Sequence, residues 1–423
     1  MRWLYSVLLW LLVPAVVLRL WLRGRRAPAY RRRWGERFGY ISPLAAPPPI
    51  WVHAVSVGEA QAAAPLIQAL MRRYPGVPVL VTTTTPTGAE RVRALFGKHV
   101  HHVYVPYDLP GAVRRFLDRT RPRLALIMET ELWPNVFHAC HRRGIAIVVA
   151  NARLSPRSAK GYRRLRPLAA ETLANVAAIA AQSPQDAERF AALGARPDQL
   201  HVMGNIKFDI RVPADLKSRG AQLRSQFGQR IVWVAASTHE GEDEHVLDAL
   251  ATVRQQNANV LLVLVPRHPE RFEGVARLCR DRGYAVVRRS EGQPCTADTD
   301  VLVGDTMGEL PMFYAAADIA FVGGSLVPVG GHNILEAAAL GVPILFGPHM
   351  FNFAAIARLF VDAAAAEQVA DSAALADAVL QQLQAPEQSR EMGRRGHALV
   401  AANRGALDRL LKLCSSYLPG SSP

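Results

Sequence analysis

Two hydrophobic patterns divide the chain. The first is an apolar run over residues 3–18, broken only by Ser6, which reaches Leu22 if Arg19 turns its guanidinium outward. That is close to the ~20 residues a helix needs to cross a bilayer. The second pattern starts after a proline-rich joint at residues 45–49. Short β-branched runs at 50–52, 79–82, 124–128, 145–150 and 177–181 alternate with Ala- and Leu-rich stretches such as 59–72 and 88–95. A further series of runs follows at 231–235, 260–265, 285–287, 301–303, 319–322 and 344–346. This alternation predicts parallel sheets covered by helices. Residues 208–217 break the rhythm and read as a linker. The expected division is a membrane anchor over 1–26, a first Rossmann-like domain over 27–210 and a second over 211–423. Ligands of open α/β sheets bind at the carboxyl ends of the strands, so the chemistry is expected in the loops that follow them, facing a cleft between the domains.

Charge sharpens the reading of the amino terminus. The 423 residues are 50% hydrophobic and 20% charged, which excludes general disorder. The formal net charge is +15, and the first forty residues hold nine arginines against one acid, Glu36. About half of the excess therefore sits beside the apolar run, which points to an anionic membrane surface and away from nucleic acid. The arginines after the run place the remainder of the chain in the cytoplasm by the positive-inside rule, and Trp3, Tyr5, Trp10 and Trp21 suit the interface. A cleaved signal peptide fits less well, because arginines stand where a small-residue cleavage site would be. A helix lying in the interface competes with a spanning one, since Pro14 and Arg19 disfavour a straight span. Cys140, Cys279, Cys295 and Cys414 form no Cys-x-x-Cys pair, so no zinc site is expected.

In the first domain, Ser-Val-Gly-Glu at 56–59 turns from a strand into a helix. Glu59 is placed to act as a general base, although acids in a first helical turn also simply offset the dipole. Glu129 and Glu131 follow an apolar strand. As metal ligands they have only His138 nearby, so Glu129 reads better as an orienting or charge-carrying group. Arg153, Arg157, Lys160, Arg163, Arg164 and Arg166 could grip phosphates of an acceptor or of lipid head groups, or form a solvated helix face. Lys207 lies at the domain junction, either as a cation for developing negative charge or as a surface lysine of the linker.

The second domain carries denser signals. Pro266, Arg267 and His268 lie where a strand gives out, as do the Ser-Thr-His-Glu-Gly-Glu string at 237–242 and the Met307-Gly308-Glu309 run. Gly323, Gly324, Gly330 and Gly331 form a glycine-rich loop, expected to lead into a helix that begins near His332. Such a loop and helix start would accept a phosphate, and Glu336 could hold ribose hydroxyls. Followed by Gly-Pro-His-Met-Phe-Asn at 347–352, the arrangement suits a nucleotide-sugar donor. Walker A and Gly-x-Gly-x-x-Gly strings are missing, against ATPases and dehydrogenases.

Together these strings resemble the bacterial 3-deoxy-D-manno-octulosonate (Kdo) transferases of lipopolysaccharide synthesis. The resemblance runs collinearly from Trp-Gly-Glu-Arg-Phe-Gly at 34–39 to Asn352 and Phe353. Its most specific parts are Ser-Val-Gly-Glu, Glu-Thr-Glu-Leu-Trp-Pro-Asn at 129–135, Asn-Ala-Arg-Leu-Ser at 151–155, Gly-Asn-Ile-Lys-Phe-Asp at 204–209, Pro-Arg-His-Pro-Glu-Arg-Phe at 266–272 and Gly-Gly-His-Asn-Ile-Leu-Glu at 330–336. The resemblance implies an α/β GT-B glycosyltransferase with an amino-terminal anchor at the bacterial inner membrane. It implies CMP-Kdo as donor, the lipid A precursor (lipid IVA) as acceptor, inversion at the anomeric carbon, and neither metal nor other cofactor. Under it Glu59 is the catalytic base, and Glu129 and Lys207 stabilise the transition state. Pro266, Arg267, Met307, Gly308, Glu309, Asn333, Ile334, Leu335 and Glu336 match the CMP site, beside His268. The donor loops by themselves would also permit a transferase that uses a UDP-sugar.

Overall fold

The computed structural model describes residues 1–418. It divides into two units: Met1–Asp209 together with the chain from Arg404 onward, and Ile210–Asn403.

The first unit is built on seven parallel strands: β1 (Ile50–His53), β2 (Val79–Thr83), β3 (His101–Tyr104), β4 (Leu124–Met128), β5 (Ala146–Ala152), β6 (Ala178–Ala181) and β7 (Leu200–Val202). Their order is β3-β2-β1-β4-β5-β6-β7, so the winding reverses between β1 and β4. Both faces are covered, as parallel sheets require. Ile50 and Val52 of β1 enter the core shared with the helix Val57–Arg73, while Trp51 between them enters the opposite core with Phe116 and Phe137. This two-residue alternation keeps the runs apolar at every position.

The expected span 211–423 for the second domain differs from the structure at its end. The helix Ala406–Ser415 belongs to the first unit. Leu407, Leu410, Leu411 and Cys414 recur at helical spacing and are buried in the core of β1 and the helix Val57–Arg73. The Asp209 carboxylate accepts the Gly405 and Leu407 N–H groups, both at 2.6 Å, and so caps the start of this helix.

The second unit repeats the plan with β8 (Ile231–Thr238), β9 (Val260–Pro266), β10 (Val286–Arg288), β11 (Val301–Val303), β12 (Ile319–Val322), β13 (Ile344–Phe346) and β14 (Glu367–Gln368). The order is β10-β11-β9-β8-β12-β13-β14, again all parallel, with the reversal between β8 and β12. The strands absent from the sequence reading are β3, β7 and β14, whose half-exposed composition belongs to sheet margins.

The amino-terminal apolar run is one helix, Arg2–Arg26, long and apolar enough to cross a membrane.

Candidate functional site

In each sheet the reversal of strand order opens a crevice at the carboxyl ends of the two strands beside it. In the first unit those strands are β1 and β4. Just past β1, Ser56 caps the helix Val57–Arg73, its Oγ accepting the Glu59 N–H at 3.3 Å. The Glu59 side chain turns back, and its Oε2 accepts the Val55 N–H at 2.9 Å. Glu59 therefore does serve the helix start. Its electrostatics go further. Burial pushes its carboxyl up to about 8; the Val55 N–H and the Lys207 ammonium hold it back, while the charges of Glu129 and Glu131 add to the rise.

Glu129, the residue after β4, has a left-handed backbone with φ of 56° and donates its N–H to Ala150 O at 2.9 Å. Non-glycine residues adopt that region at a cost of about 1 kcal/mol or more. Two further left-handed residues stand near the same edges of their sheets: Asn151 in β5 (φ 52°) and Ser237 in β8 (φ 59°). Asn151 is almost fully buried, and its Oδ1 accepts the Ile206 N–H at 3.1 Å. Beside it, Asn205 Oδ1 accepts the Lys207 N–H at 3.0 Å. Two asparagines thus set the backbone of the turn that carries Lys207. Burial lowers the Lys207 ammonium below its ordinary range; Arg153 adds to this, and Glu129 and Glu59 oppose it.

Glu59, Glu129, Lys207 and Arg153 are therefore one electrostatic group within the first unit. Glu131 belongs to it at the margin, with Oε2 accepting the Trp133 indole N–H at 2.9 Å. Arg157, Lys160 and Arg163 do not: they lie exposed on the helix Pro156–Arg163. Asn151, which opens the Asn-Ala-Arg-Leu-Ser string, holds the turn before Lys207, a part that residue type alone does not assign to it.

In the second unit, Arg267 leaves the end of β9 with its N–H on Thr238 O at 3.0 Å. Its guanidinium acts on Glu336, His239 and His332 alike. Burial raises the Glu336 carboxyl, against which Arg267 and the Asn333 amide work; Asn333 Nδ2 donates to Glu336 Oε1 at 3.2 Å. His332 and His239 stack at 9° with their Nε2 atoms 2.8 Å apart, and His268 meets His239 edge-on at 5.3 Å. Burial lowers His332 to about 3 and, with His268 and the two arginines 267 and 271 nearby, lowers His239 too. So Arg267, His268, Asn333 and Glu336 come together, joined by the two histidines that the sequence reading left without a role.

Other expected residues are placed differently. The side chains of Ile334 and Leu335 are fully buried in the apolar core, leaving only their backbone for a ligand. Met307 is exposed and Gly308 turns with φ of 84°. Glu309 accepts two bonds from Arg289, at 3.1 and 3.0 Å, which hold its carboxyl below the ordinary range.

The helix expected from His332 begins at Leu335 and has four residues, because Asn333 Oδ1 takes the Leu335 N–H at 3.2 Å. Nor does the glycine loop hold its N–H groups open. Glu242, fully buried, accepts the N–H groups of Gly324 (2.5 Å), Ser325 and Leu326 (both 2.9 Å) and His239 (3.2 Å). The glycines serve this packing. A Cβ on Gly323 would lie 2.7 Å from Glu242 Oε2, and one on Gly331 2.1 Å from Met350 Sδ.

Among the described residues no three His, Cys, Asp or Glu side chains converge as metal ligands. The chain has one Asp-x-Asp string, 298–300, but it precedes β11 and Asp300 Oδ1 is bound by Arg254 at 2.5 Å.

Comparison with known proteins agrees with this architecture. The family model described as 3-Deoxy-D-manno-octulosonic-acid transferase (kdotransferase) matches residues 32–210, and that described as Glycosyl transferases group 1 matches residues 229–398. The 3-deoxy-D-manno-octulosonic acid transferase of Haemophilus influenzae is 42% identical over 421 residues, covering 99% of each chain. That of Bordetella pertussis is 39% identical over 435 residues, again 99% of each. Among solved structures, Acinetobacter baumannii MurG has a TM-score of 0.58 at 12% identity, covering 88% of this chain and 100% of its own. At that identity the likeness is one of fold, the two-Rossmann-domain GT-B architecture. Matched along its whole length at 42% identity, the chain belongs to the 3-deoxy-D-manno-octulosonic acid transferases and is a glycosyltransferase.

Proposed function

We propose that the chain transfers Kdo from CMP-Kdo to a sugar hydroxyl of the lipid A precursor, with inversion and without a metal, on the cytoplasmic side of the bacterial inner membrane. In this reading the first unit binds the acceptor and the second the CMP-sugar. The observation that carries it is the Glu59 carboxyl, poised at about 8 among Glu129, Glu131 and Lys207. A base with a value near working pH combines a useful carboxylate fraction with a strong pull on the proton.

Glu59 takes the proton of the acceptor hydroxyl as its oxygen attacks the anomeric carbon of Kdo. The bond from that carbon to the CMP phosphate breaks on the opposite face, so the configuration inverts. Positive charge grows on the sugar ring, where the Glu129 carboxylate favours it. Negative charge grows on the departing phosphate, which Arg267 and Lys207 stabilise. With cations supplied by the chain, the departing group needs no metal. The Glu336 carboxyl accepts ribose hydroxyls of the nucleotide.

The test is Glu59→Ala, assayed with CMP-Kdo and lipid IVA. Nucleotide binding should persist while transfer falls by about 10²–10⁴-fold, the usual contribution of a general base. Near-normal turnover of this variant would refute the assignment.

A further inference from the structure

The helix Arg2–Arg26 has two faces that its composition does not reveal. Positions 2, 5, 6, 9, 13, 16, 17, 20 and 24 are buried or half-buried, and they recur at the period of one helical face. The opposite face is exposed and apolar along its whole length, from Trp3 (71% exposed) through Leu11 (73%) to Trp21 and Leu22.

The covered face is fastened to the first unit by polar groups. Arg2 Nη1 and Ser6 Oγ both donate to Asn135 Oδ1, at 3.0 and 3.1 Å. Asn135 is itself buried and donates to Asp108 O at 2.6 Å. The terminal amine lies 3.7 Å from Glu171. At the other end, Gly24 lets the Arg31 side chain lie against the helix, since a Cβ there would meet Arg31 Cγ at 2.3 Å.

A spanning helix separates its two ends by ~30 Å of hydrocarbon and immerses every face in lipid. Here the amino-terminal end is bonded to the same water-facing α/β body into which the carboxyl end continues through the short turn Pro28–Arg31. We infer that this helix lies in the plane of the membrane surface, docked on the first unit by its polar-tipped face, with the apolar face seated in one leaflet of an anionic bilayer. Charge selects that occupant over an apolar protein partner. Arg19, Arg23, Arg25, Arg31 and Arg32 are exposed on this helix or on the turn after it, and such cations beside an apolar surface suit phospholipid phosphates. The inference rests on the membrane attachment in the proposed function and replaces a crossing with a one-leaflet seat.

The full-length protein tests it in two ways. In cells, an epitope before Met1 should resist protease added to intact spheroplasts and be cut only after lysis; cleavage in intact spheroplasts would overturn the inference. In vesicles of phosphatidylethanolamine and phosphatidylglycerol, spin labels at W3C, L11C and L22C should report depths alike to within about 5 Å, the shallow band of an interfacial helix. These three positions are exposed, so folding is preserved. A profile deepest at position 11 overturns the in-plane seat alone. Absence of lipid contact at all three positions overturns membrane attachment as well. Kdo transfer to detergent-dispersed acceptor is indifferent to either result.

Discussion

The two units share a strand plan but meet the acids at their strand ends differently. In the second unit the acids at the strand ends are matched within the protein. Glu309 holds Arg289, Asp305 binds Arg288 at 2.8 Å, Asp243 pairs with Arg271, and Glu242 is saturated by four backbone N–H groups. In the first unit Glu59 and Lys207 are both displaced from their ordinary ranges by burial. Matched charges hold loops in place, whereas displaced ones are ready to exchange a proton or receive charge. Similar architecture thus pairs most of these acids in the second unit, although Glu336, His239 and His332 there are displaced by burial as Glu59 and Lys207 are in the first.

The sharpest way to break this contrast is through pH. Because Glu59 is raised to about 8, its carboxylate fraction should grow about tenfold per pH unit below that value, and kcat/KM with it. A limb that ends near pH 5 would remove the contrast. The sign for stability is the reverse. The folded chain keeps a proton that the unfolded chain releases above 4.5, so this group's contribution is complete below 4.5 and is lost as pH rises through 8.

Next in size is Glu242→Ala, which strips the acceptor from four backbone N–H groups in a buried loop. Urea unfolding should show a loss of about 3 kcal/mol or more, since each unmet buried group costs ~1–3 kcal/mol. Calorimetric titration with CMP-Kdo should show weaker binding at temperatures where the variant is folded.

Asn151→Ala should cost less. Releasing the Ile206 N–H shifts the turn that carries Lys207, with an expected fall of about 10–100-fold in kcat, the scale of a small misplacement. Nucleotide affinity should be unchanged. An equal loss in CMP binding would show that the residue serves the fold at large.

The smallest effect belongs to Arg157→Gln with Lys160→Gln. Both are exposed, so thermal unfolding should move by no more than about 0.5 kcal/mol. Flotation with anionic vesicles should weaken if this face meets lipid or acceptor phosphates.

What could be read from the residues follows burial. Strands such as 124–128 are apolar at every position because both faces are covered, and that run is visible without coordinates. The marginal β3, His-His-Val-Tyr, has no such run. Glu59 could be singled out because a strand, a turn and a helix start meet in four residues. Its raised carboxyl could not, since Glu129 and Lys207 arrive from 70 and 148 residues away. The helix start misplaced at His332 has a simpler cause. Glycines signal an open loop, and the sequence does not tell whether a ligand or a carboxylate such as Glu242 will fill it.

The return of Ala406–Ser415 to the first core has a consequence for how the protein is made. Synthesis runs from the amino end, so the platform bearing Glu59 stays unfinished until the helix Ala406–Ser415 has been translated. The second unit, 210–403, is an uninterrupted stretch that can fold while its neighbour still waits for its closing piece. A premature stop shortly after residue 403 would therefore spare the second unit and injure the first, although Glu59, Glu129 and Lys207 would all have been made.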